Sequence, residues 1–415
     1  MELIERYLRV RARSEALAAP LSAEDQQVQS MPSCSPTKWH RAHTTWFFET
    51  FVLTPHGVPP VDARWSELFN SYYQAVGPRH PRPRRGLLSR PGVAEIAAYR
   101  ATVDGRLCEL LAAADPAQRA ALTPLVELGL AHEEQHQELL LTDALHALAQ
   151  SPLSPAYRGP APAASTAAPA PLRFTDFDGG LIDQGASADA GFHFDNEQPR
   201  HRAWLAPFAI ADRPVTVAEV RAFADDGGYR APALWLSDGW EQVQAEGLDA
   251  PAYVVRADGA WLGFGLDGVR ALAPAEPAAF LSYYEADAIA RWLGARLPTE
   301  AEWEHAATGR PVVGNLLDDA RPPGALRPLP GAGAALDQLY GDVWEWTRSS
   351  YEPYPGYAPA TGALGEYNGK FMINQRVLRG GSCFTPPGHL RATYRNFWHP
   401  DTRFQVTGLR LARDA

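Results

Sequence analysis

Between Ser151 and Pro171 the chain is dominated by proline, alanine and serine, with too few large apolar side chains to pack. Such a stretch reads as an extended linker, and it divides two segments of different character. Residues 1–150 place apolar residues at three- and four-residue spacing over 1–18, 36–54, 93–114 and 118–149, the period of amphipathic helices. The breaks fall at Ala19-Pro20, in a Pro/Arg-rich loop from Gly77 to Pro91, and at Asp115-Pro116. Four such helices predict a bundle, an architecture whose core hosts metal sites built from facing helices. From Leu172 to Ala415 short apolar or aromatic segments alternate with Gly, Pro and Asp, and helical spacing is confined to Thr216–Asp225, Ser282–Leu293 and Thr299–Thr308. Thr299 is expected as an N-cap, with Glu302 completing a capping box. The expected fold class is therefore a four-helix bundle (1–150), a linker (151–171) and an α+β domain rich in irregular structure (172–415).

At 415 residues the chain exceeds the usual size of a single domain, and its 12 Trp, 15 Tyr and 16 Phe are ample for two cores. A formal net charge of −10 with no long basic run argues against a nucleic-acid partner. The three cysteines, Cys34, Cys108 and Cys383, are odd in number and far apart. That usage fits a reducing compartment and excludes both a disulfide framework and a cysteine-rich zinc module. The N-terminus alternates charged with apolar residues, so no signal peptide is visible, and no run approaches the ~20 apolar residues that span a bilayer. The expectation is a cytoplasmic protein with small-molecule substrates and neither membrane nor nucleic acid as partner.

Chemistry is concentrated in the helical half. In Ala131-His132-Glu133-Glu134-Gln135-His136-Gln137-Glu138-Leu139-Leu140-Leu141 the two histidines are four residues apart, one turn up the same helix face. Leu128, Leu139 and Leu140 continue the stripe. Two imidazoles on an apolar face need a partner; a metal ion is one, a hydrogen-bonded core pair the other. The His-Glu-x-x-His pattern also matches a zinc-protease motif with Glu133 as general base. Against that, Leu139 and Thr142 stand where the extended motif has Gly and His, His146 faces elsewhere, and Glu133-Glu134 reads as an ordinary solvated face. A catalytic metal needs a third ligand from another helix. In Ser35-Pro36-Thr37-Lys38-Trp39-His40-Arg41-Ala42-His43-Thr44-Thr45-Trp46-Phe47-Phe48-Glu49 the apolar stripe of Trp39, Ala42, Trp46 and Phe47 favours His43, whereas His40 lies beside Arg41. Three neutral imidazoles with open positions suit zinc, iron or copper, which spacing does not separate.

With these residues stand further ordered motifs: Phe69-Asn70-Ser71-Tyr72-Tyr73, Arg82-Pro83-Arg84-Arg85-Gly86, Phe194-Asp195-Asn196-Glu197-Gln198-Pro199-Arg200-His201, Arg296-Leu297-Pro298-Thr299-Glu300-Ala301-Glu302-Trp303-Glu304, Gly341-Asp342-Val343-Trp344-Glu345-Trp346 and Arg379-Gly380-Gly381-Ser382. Over nearly its whole length the chain resembles the ergothioneine-biosynthesis sulfoxide synthases. These are nonheme iron enzymes with an N-terminal DinB-like bundle and a C-terminal domain of the formylglycine-generating-enzyme type, itself C-type-lectin-like. The resemblance implies an Fe(II) site at His43, His132 and His136, O2 as co-substrate, and hercynine (trimethylated histidine) as substrate, with Gln135 and Asn396 meeting it. It implies that Tyr72 and Tyr73 match the tandem tyrosines of one subgroup, where a phenol near iron supplies a proton or electron. It also implies that Arg82 and Arg85 lie in the region that binds the carboxylate of the thiol substrate, a task for which guanidinium forks are suited.

Two departures bear on the sulfur donor. The stretch after Asn396 usually continues with two phenylalanines and two prolines but here reads Phe397-Trp398-His399-Pro400, and Phe384 replaces a small residue after Ser382-Cys383. The added bulk, indole N–H and imidazole suit a sugar face. A close relative of the family, selenoneine synthase, joins hercynine to a selenosugar, so a selenosugar is the expected donor here, with cysteine or γ-glutamylcysteine as the alternative. Other function classes fit less well. A formylglycine-generating enzyme needs two nearby cysteines late in the chain, where only Cys383 stands. A zinc-dependent DinB-type thiol transferase leaves the C-terminal domain without a task. A carbohydrate-binding module has no need of three histidines.

Overall fold

The computed structural model describes residues 2–159, 165–257, 260–317 and 326–415. It divides into two compact units, residues 1–157 with 359–367, and residues 158–358 with 368–415. Of the expected linker 151–171, residues 160–164 lie outside the described residues.

The first unit contains α1 (Glu2–Ala18), α2 (Thr37–Phe48), α3 (Trp65–Phe69), α4 (Val93–Ala113) and α5 (Pro116–Ala149). The four long helices fall where the apolar spacing predicts them. Asp115 starts α5: its carboxylate accepts the Gln118 N–H (2.8 Å) while the Gln118 side chain accepts the Asp115 N–H (3.0 Å), and Pro116 takes the first helical position, which needs no donor. Helix α2 runs on through a π-helical turn, Glu49–Leu53, and a 3-10 turn, Thr54–His56, before Gly57 (φ 83°) ends it in the left-handed region. Every residue of α2 is buried, including Lys38 and Arg41, so this is the central helix of the unit. Its charges are answered locally. Lys38 Nζ donates to the Ser89 and Pro91 carbonyls (3.0 and 3.1 Å), and Arg41 forks onto Glu15 (3.0 and 2.5 Å). Helix α5 approaches α2 at Gly129, where a Cβ would lie 2.4 Å from the Phe48 ring. Glycine is what permits that approach, three residues before His132.

Residues 359–367 belong to this helical unit although the sequence expects everything from Leu172 onward in one domain. The reason is local bonding. The Glu366 carboxylate accepts the backbone N–H groups of Gln74 (3.0 Å) and Ala75 (2.9 Å), fastening the segment to the loop that follows Tyr72-Tyr73.

The second unit is α+β. Its strands are β1 (Phe174–Phe177), β2 (Gly180–Gln184), β3 (His201–Leu205), β4 (Phe208–Ala211), β5 (Val254–Ala257), β6 (Ala260–Gly265), β7 (Gly268–Ala271), β8 (Trp344–Ser350), β9 (Arg376–Arg379), β10 (Asn396–Trp398), β11 (Thr407–Gly408) and β12 (Ala412–Asp414). They form four small sheets, ordered β1-β4-β12, β10-β9-β8-β11, β2-β3 and β5-β6-β7. Helices α6 (Val217–Asp225), α8 (Tyr283–Trp292) and α9 (Glu300–Ala307) match the three expected, and the Thr299–Glu302 capping box is present. Helix α7 (Ser237–Glu246) is additional; Gly239 in its first turn obscures its apolar spacing.

The interior of this unit is held by buried ion pairs as well as apolar packing. Arg379 donates to Glu300 (3.0 Å) and Glu304 (2.9 Å), Arg395 forks onto Glu300 (2.9 and 3.0 Å), and Arg410 pairs with Glu345, which also accepts the Trp303 indole N–H (2.6 Å). The charged residues of the Arg-Leu-Pro-Thr-Glu, Gly-Asp-Val-Trp-Glu-Trp and Arg-Gly-Gly-Ser motifs thus serve the scaffold.

Candidate metal centre

Helices α2 and α5 bring His43, His132 and His136 together, with ligand-capable ring nitrogens all within 4.8 Å of one another. His43 Nδ1 lies 2.6 Å from the Phe69 carbonyl, which can only accept; Nδ1 therefore carries the proton and Nε2 turns a lone pair to the cluster. That Nε2 is 3.2 Å from His132 Nε2. His136 Nδ1 lies 2.8 Å from His40 Nδ1.

Burial pushes the pKa of all three imidazoles down, that of His132 to about 3, and the mutual proximity of the rings adds to the effect at His43 and His136. All three are neutral around pH 7. Among the described residues, His132 Nδ1 is buried without a hydrogen-bond partner. Crowded, neutral imidazoles in an apolar surround leave lone pairs that a cation would satisfy. Three nitrogen donors on two helix faces fit a metal ion with open positions, as zinc, iron and copper require.

The neighbours of the cluster sort the other expected residues. The Trp39 indole stacks on His43 (4.6 Å, 13°), and the Arg85 guanidinium lies 3.4 Å from the Trp39 ring centroid. Arg85 is buried, its hydrogen bonds go to the Ser35 and Ser71 hydroxyls (3.0 and 3.1 Å), and its Nε has no partner among the described residues. Desolvation holds its pKa well below the usual arginine value, with Arg82 adding repulsion. A buried cation bonded to neutral groups is an anion-binding feature. Arg82, expected to share that role, is exposed and donates to the Ser33 carbonyl (2.5 Å). The Pro83 turn separates them, so one guanidinium points inward and the other out.

Tyr73 is buried among Trp46 (5.7 Å), Phe47 (6.5 Å) and Phe51 (5.0 Å), and burial pushes its phenol pKa up. Tyr72 lies alongside, the two hydroxyls 3.5 Å apart. The tyrosine set edge-on to a cluster imidazole is one the sequence reading did not single out. The Tyr367 ring is 5.7 Å from that of His132, and its hydroxyl donates to Gln135 Oε1. Tyr367 is separated from Gln135 by 232 residues, and no local pattern marks it.

Glu133 corrects an expectation. The Glu133-Glu134 pair is buried, not a solvated face. Glu133 accepts from Ser14 Oγ (2.6 Å), Arg100 (2.8 Å) and Arg11 (2.7 Å). Burial alone would raise its pKa, but Arg11 and Arg100 outweigh that and hold it at about 2. A carboxylate so engaged is the counter-ion of two buried arginines, and the protease reading falls with it. His146 bonds Ser30 Oγ (2.7 Å) and takes no part in the cluster.

In the second unit Asn396, Phe397 and Trp398 form β10, in register with Leu378, Val377 and Arg376 of β9. Asn396 Oδ1 accepts the Phe397 N–H (2.8 Å). Phe397 stacks on Tyr351 (4.0 Å, 11°), and Trp398 meets Phe404 edge-on (5.4 Å). Phe384 is 2% exposed, folded inward by the turn in which Thr385 N–H meets the Ser382 carbonyl (3.0 Å), whereas His399 is exposed. The two substitutions expected to remodel one substrate face thus occupy different environments.

Comparison with known proteins finds a different family for each half of the chain, the second match running through residues 359–367. Residues 6–140 match the DinB superfamily, and residues 174–319 and 319–415 match the sulfatase-modifying factor enzyme 1-like domain. A hercynine oxygenase of Mycolicibacterium smegmatis is 35% identical, covering 93% of this chain and 92% of the relative. One from Mycobacterium tuberculosis is 33% identical, with 92% of each covered. A formylglycine-generating enzyme of Streptomyces coelicolor is 28% identical but covers 57% of this chain and 88% of its own. No helix among the described residues is long and apolar enough to cross a membrane.

Proposed function

The chain belongs to the hercynine oxygenase family, and from that premise we propose that it is a nonheme iron(II) enzyme that joins a small thiol to C2 of the hercynine imidazole with O2 as oxidant. The reaction balances as follows. A C–H and an S–H bond break, a C–S bond forms, one oxygen atom stays on sulfur as the sulfoxide, and the other leaves as water with the two hydrogens. The observation that carries the reading is the cluster of three neutral imidazoles from two helices. Bound iron(II) would supply redox reactivity toward O2 and would hold and acidify the thiol beside its acceptor.

The protein's own groups supply the rest. His43, His132 and His136 would hold the metal. Arg85, buried with only hydroxyl partners, would take a substrate carboxylate in a fork. Gln135 and Tyr367, hydrogen-bonded beside His132, would orient hercynine and hold a proton at the phenol oxygen. Trp39 and Trp46, stacked on His43, and Phe47, beside His132, shield those two imidazoles from water, which strengthens each electrostatic interaction there.

A thiol donor is favoured over the selenosugar that Phe384, Trp398 and His399 suggested. Relatives that align over about nine-tenths of the chain are hercynine oxygenases, and Phe384 is interior while His399 is exposed. That none of the three cysteines forms a disulfide accords with a cytoplasmic enzyme. The test is a turnover assay with hercynine, iron(II) and O2 in which cysteine, γ-glutamylcysteine and a selenosugar compete. The sulfoxide should form fastest from a thiol; preference for the selenosugar would reverse the donor, and no product from any of them would remove the reading.

A further inference from the structure

The fourth histidine of the site does not belong to the cluster. His40, one turn before His43 on α2, lies with its Nδ1 2.8 Å from His136 Nδ1 and its Nε2 3.0 Å from Asp143 Oδ2. Asp143 is on α5, seven residues after His136 and so on the same face two turns along. The same Oδ2 accepts the Ser35 backbone N–H (2.7 Å). His40 and Asp143 are both buried, so the bond between them does not compete with water, whereas His136 is partly exposed.

The direction of each hydrogen follows from its partner. A carboxylate accepts, so His40 Nε2 donates to Asp143. As a metal ligand His136 keeps its proton on the nitrogen turned away from the metal, so its Nδ1 donates and His40 Nδ1, 2.8 Å away, accepts. The remaining nitrogen of His136, Nε2, is left as a lone pair on the side of His43 and His132. At His43 a backbone carbonyl does this alone; at His136 the task passes through a second imidazole to a carboxylate.

We propose that His40 and Asp143 are positioning residues that fix the tautomer and aim of His136, so that metal affinity depends on a histidine that never touches the metal. The inference rests on the metal-binding reading above. Outer partners of ligating histidines raise affinity about 10- to 100-fold in other sites, which sets the expected size.

The experiment uses the full chain and Co(II) as probe, with affinity read by chelator competition and coordination by the visible absorption of the bound ion. His40→Phe keeps a ring but removes the acceptor, and should weaken Co(II) binding about 10- to 100-fold. His40→Gln retains an amide oxygen that can accept from His136 Nδ1, and Asp143→Asn retains a weaker acceptor; both should fall between wild type and His40→Phe. Thermal unfolding of the metal-free variants identifies any that fail to fold. A reading independent of the variants comes from imidazole nitrogen NMR of the zinc-loaded wild type, which should show His136 protonated at Nδ1 and His40 at Nε2. Affinities of folded His40→Phe and Asp143→Asn within twofold of wild type, or the opposite tautomer at His136, would overturn the proposal. Failure of the wild type to bind Co(II) at the three histidines would instead overturn the metal-binding reading on which it rests.

Discussion

Arg85 and Arg82 stand three residues apart in one loop, yet only Arg85 is buried, and without a carboxylate bonded to it. Replacing it by Ala should raise the KM for the thiol about tenfold or more, the loss of a charge-assisted fork worth about 1.5–3 kcal/mol, with a smaller effect on kcat. Arg82→Ala should change KM less than twofold. Equal effects from the two would show that the inward placement does not matter. His136→Ala removes one of three ligands and should abolish both metal retention and turnover while far-UV circular dichroism stays unchanged.

Residue-scale features differ in how far they can be read ahead of structure. The pairing of His132 with His136 follows from helical periodicity, and His43 follows from the apolar stripe around it. The charged neighbour Arg41 does not mark His40 as a surface residue, because Arg41 and His40 are both buried. Asp143 was within reach, since seven residues return a helix to the same face. Tyr367 was not, because a contact 232 residues away leaves no trace in local spacing.

Elements were legible where their ends carry chemistry. Asp115-Pro116 with Gln118 marks the start of α5, and Thr299 with Glu302 that of α9, because side chains there replace the backbone partners a helix end lacks. Helix α7 carries a glycine in its first turn and has no such signal, and the π-helical extension of α2 at Glu49–Leu53 is a matter of hydrogen-bond register that composition does not encode. Gly129 makes the packing of α2 on α5 testable. Its Cβ position is filled by the Phe48 ring, itself pinned edge-on to Tyr7 (5.0 Å). Gly129→Ala should therefore cost about 1–3 kcal/mol through overpacking, despite alanine's better helix propensity, and should weaken metal binding because His132 is three residues away. A melting temperature at or above wild type would show that the helices separate freely.

On the scale of the whole molecule, the change of pattern at 151–171 announced an all-helical part and an α+β part, and both are present. What it concealed is that residues 359–367 belong to the first, through a carboxylate that seeks backbone donors rather than through any apolar signal. In the second unit the buried Glu197 contributes to the acid response of the fold. Burial alone would raise the Glu197 pKa, but Arg391 at 2.9 Å, with Thr393 at 2.6 Å, holds it below the ordinary value. A folded-state pKa below the unfolded one contributes stability that is complete above about pH 4.3 and is lost as the pH falls toward the folded value. Unfolding free energy should decline below about pH 4.3, and Glu197→Gln should be less stable at pH 7 with a shallower decline. An unchanged slope in the variant would remove Glu197 from the acid response.

The central claim, that imidazoles from two helices hold one redox-active ion, is met most directly by anaerobic titration with iron(II), with X-ray absorption reporting the ligand atoms. The account predicts one iron per chain in a nitrogen-rich first shell, lost in each of His43→Ala, His132→Ala and His136→Ala. Iron retained by those variants, or bound without imidazole ligands, would contradict it.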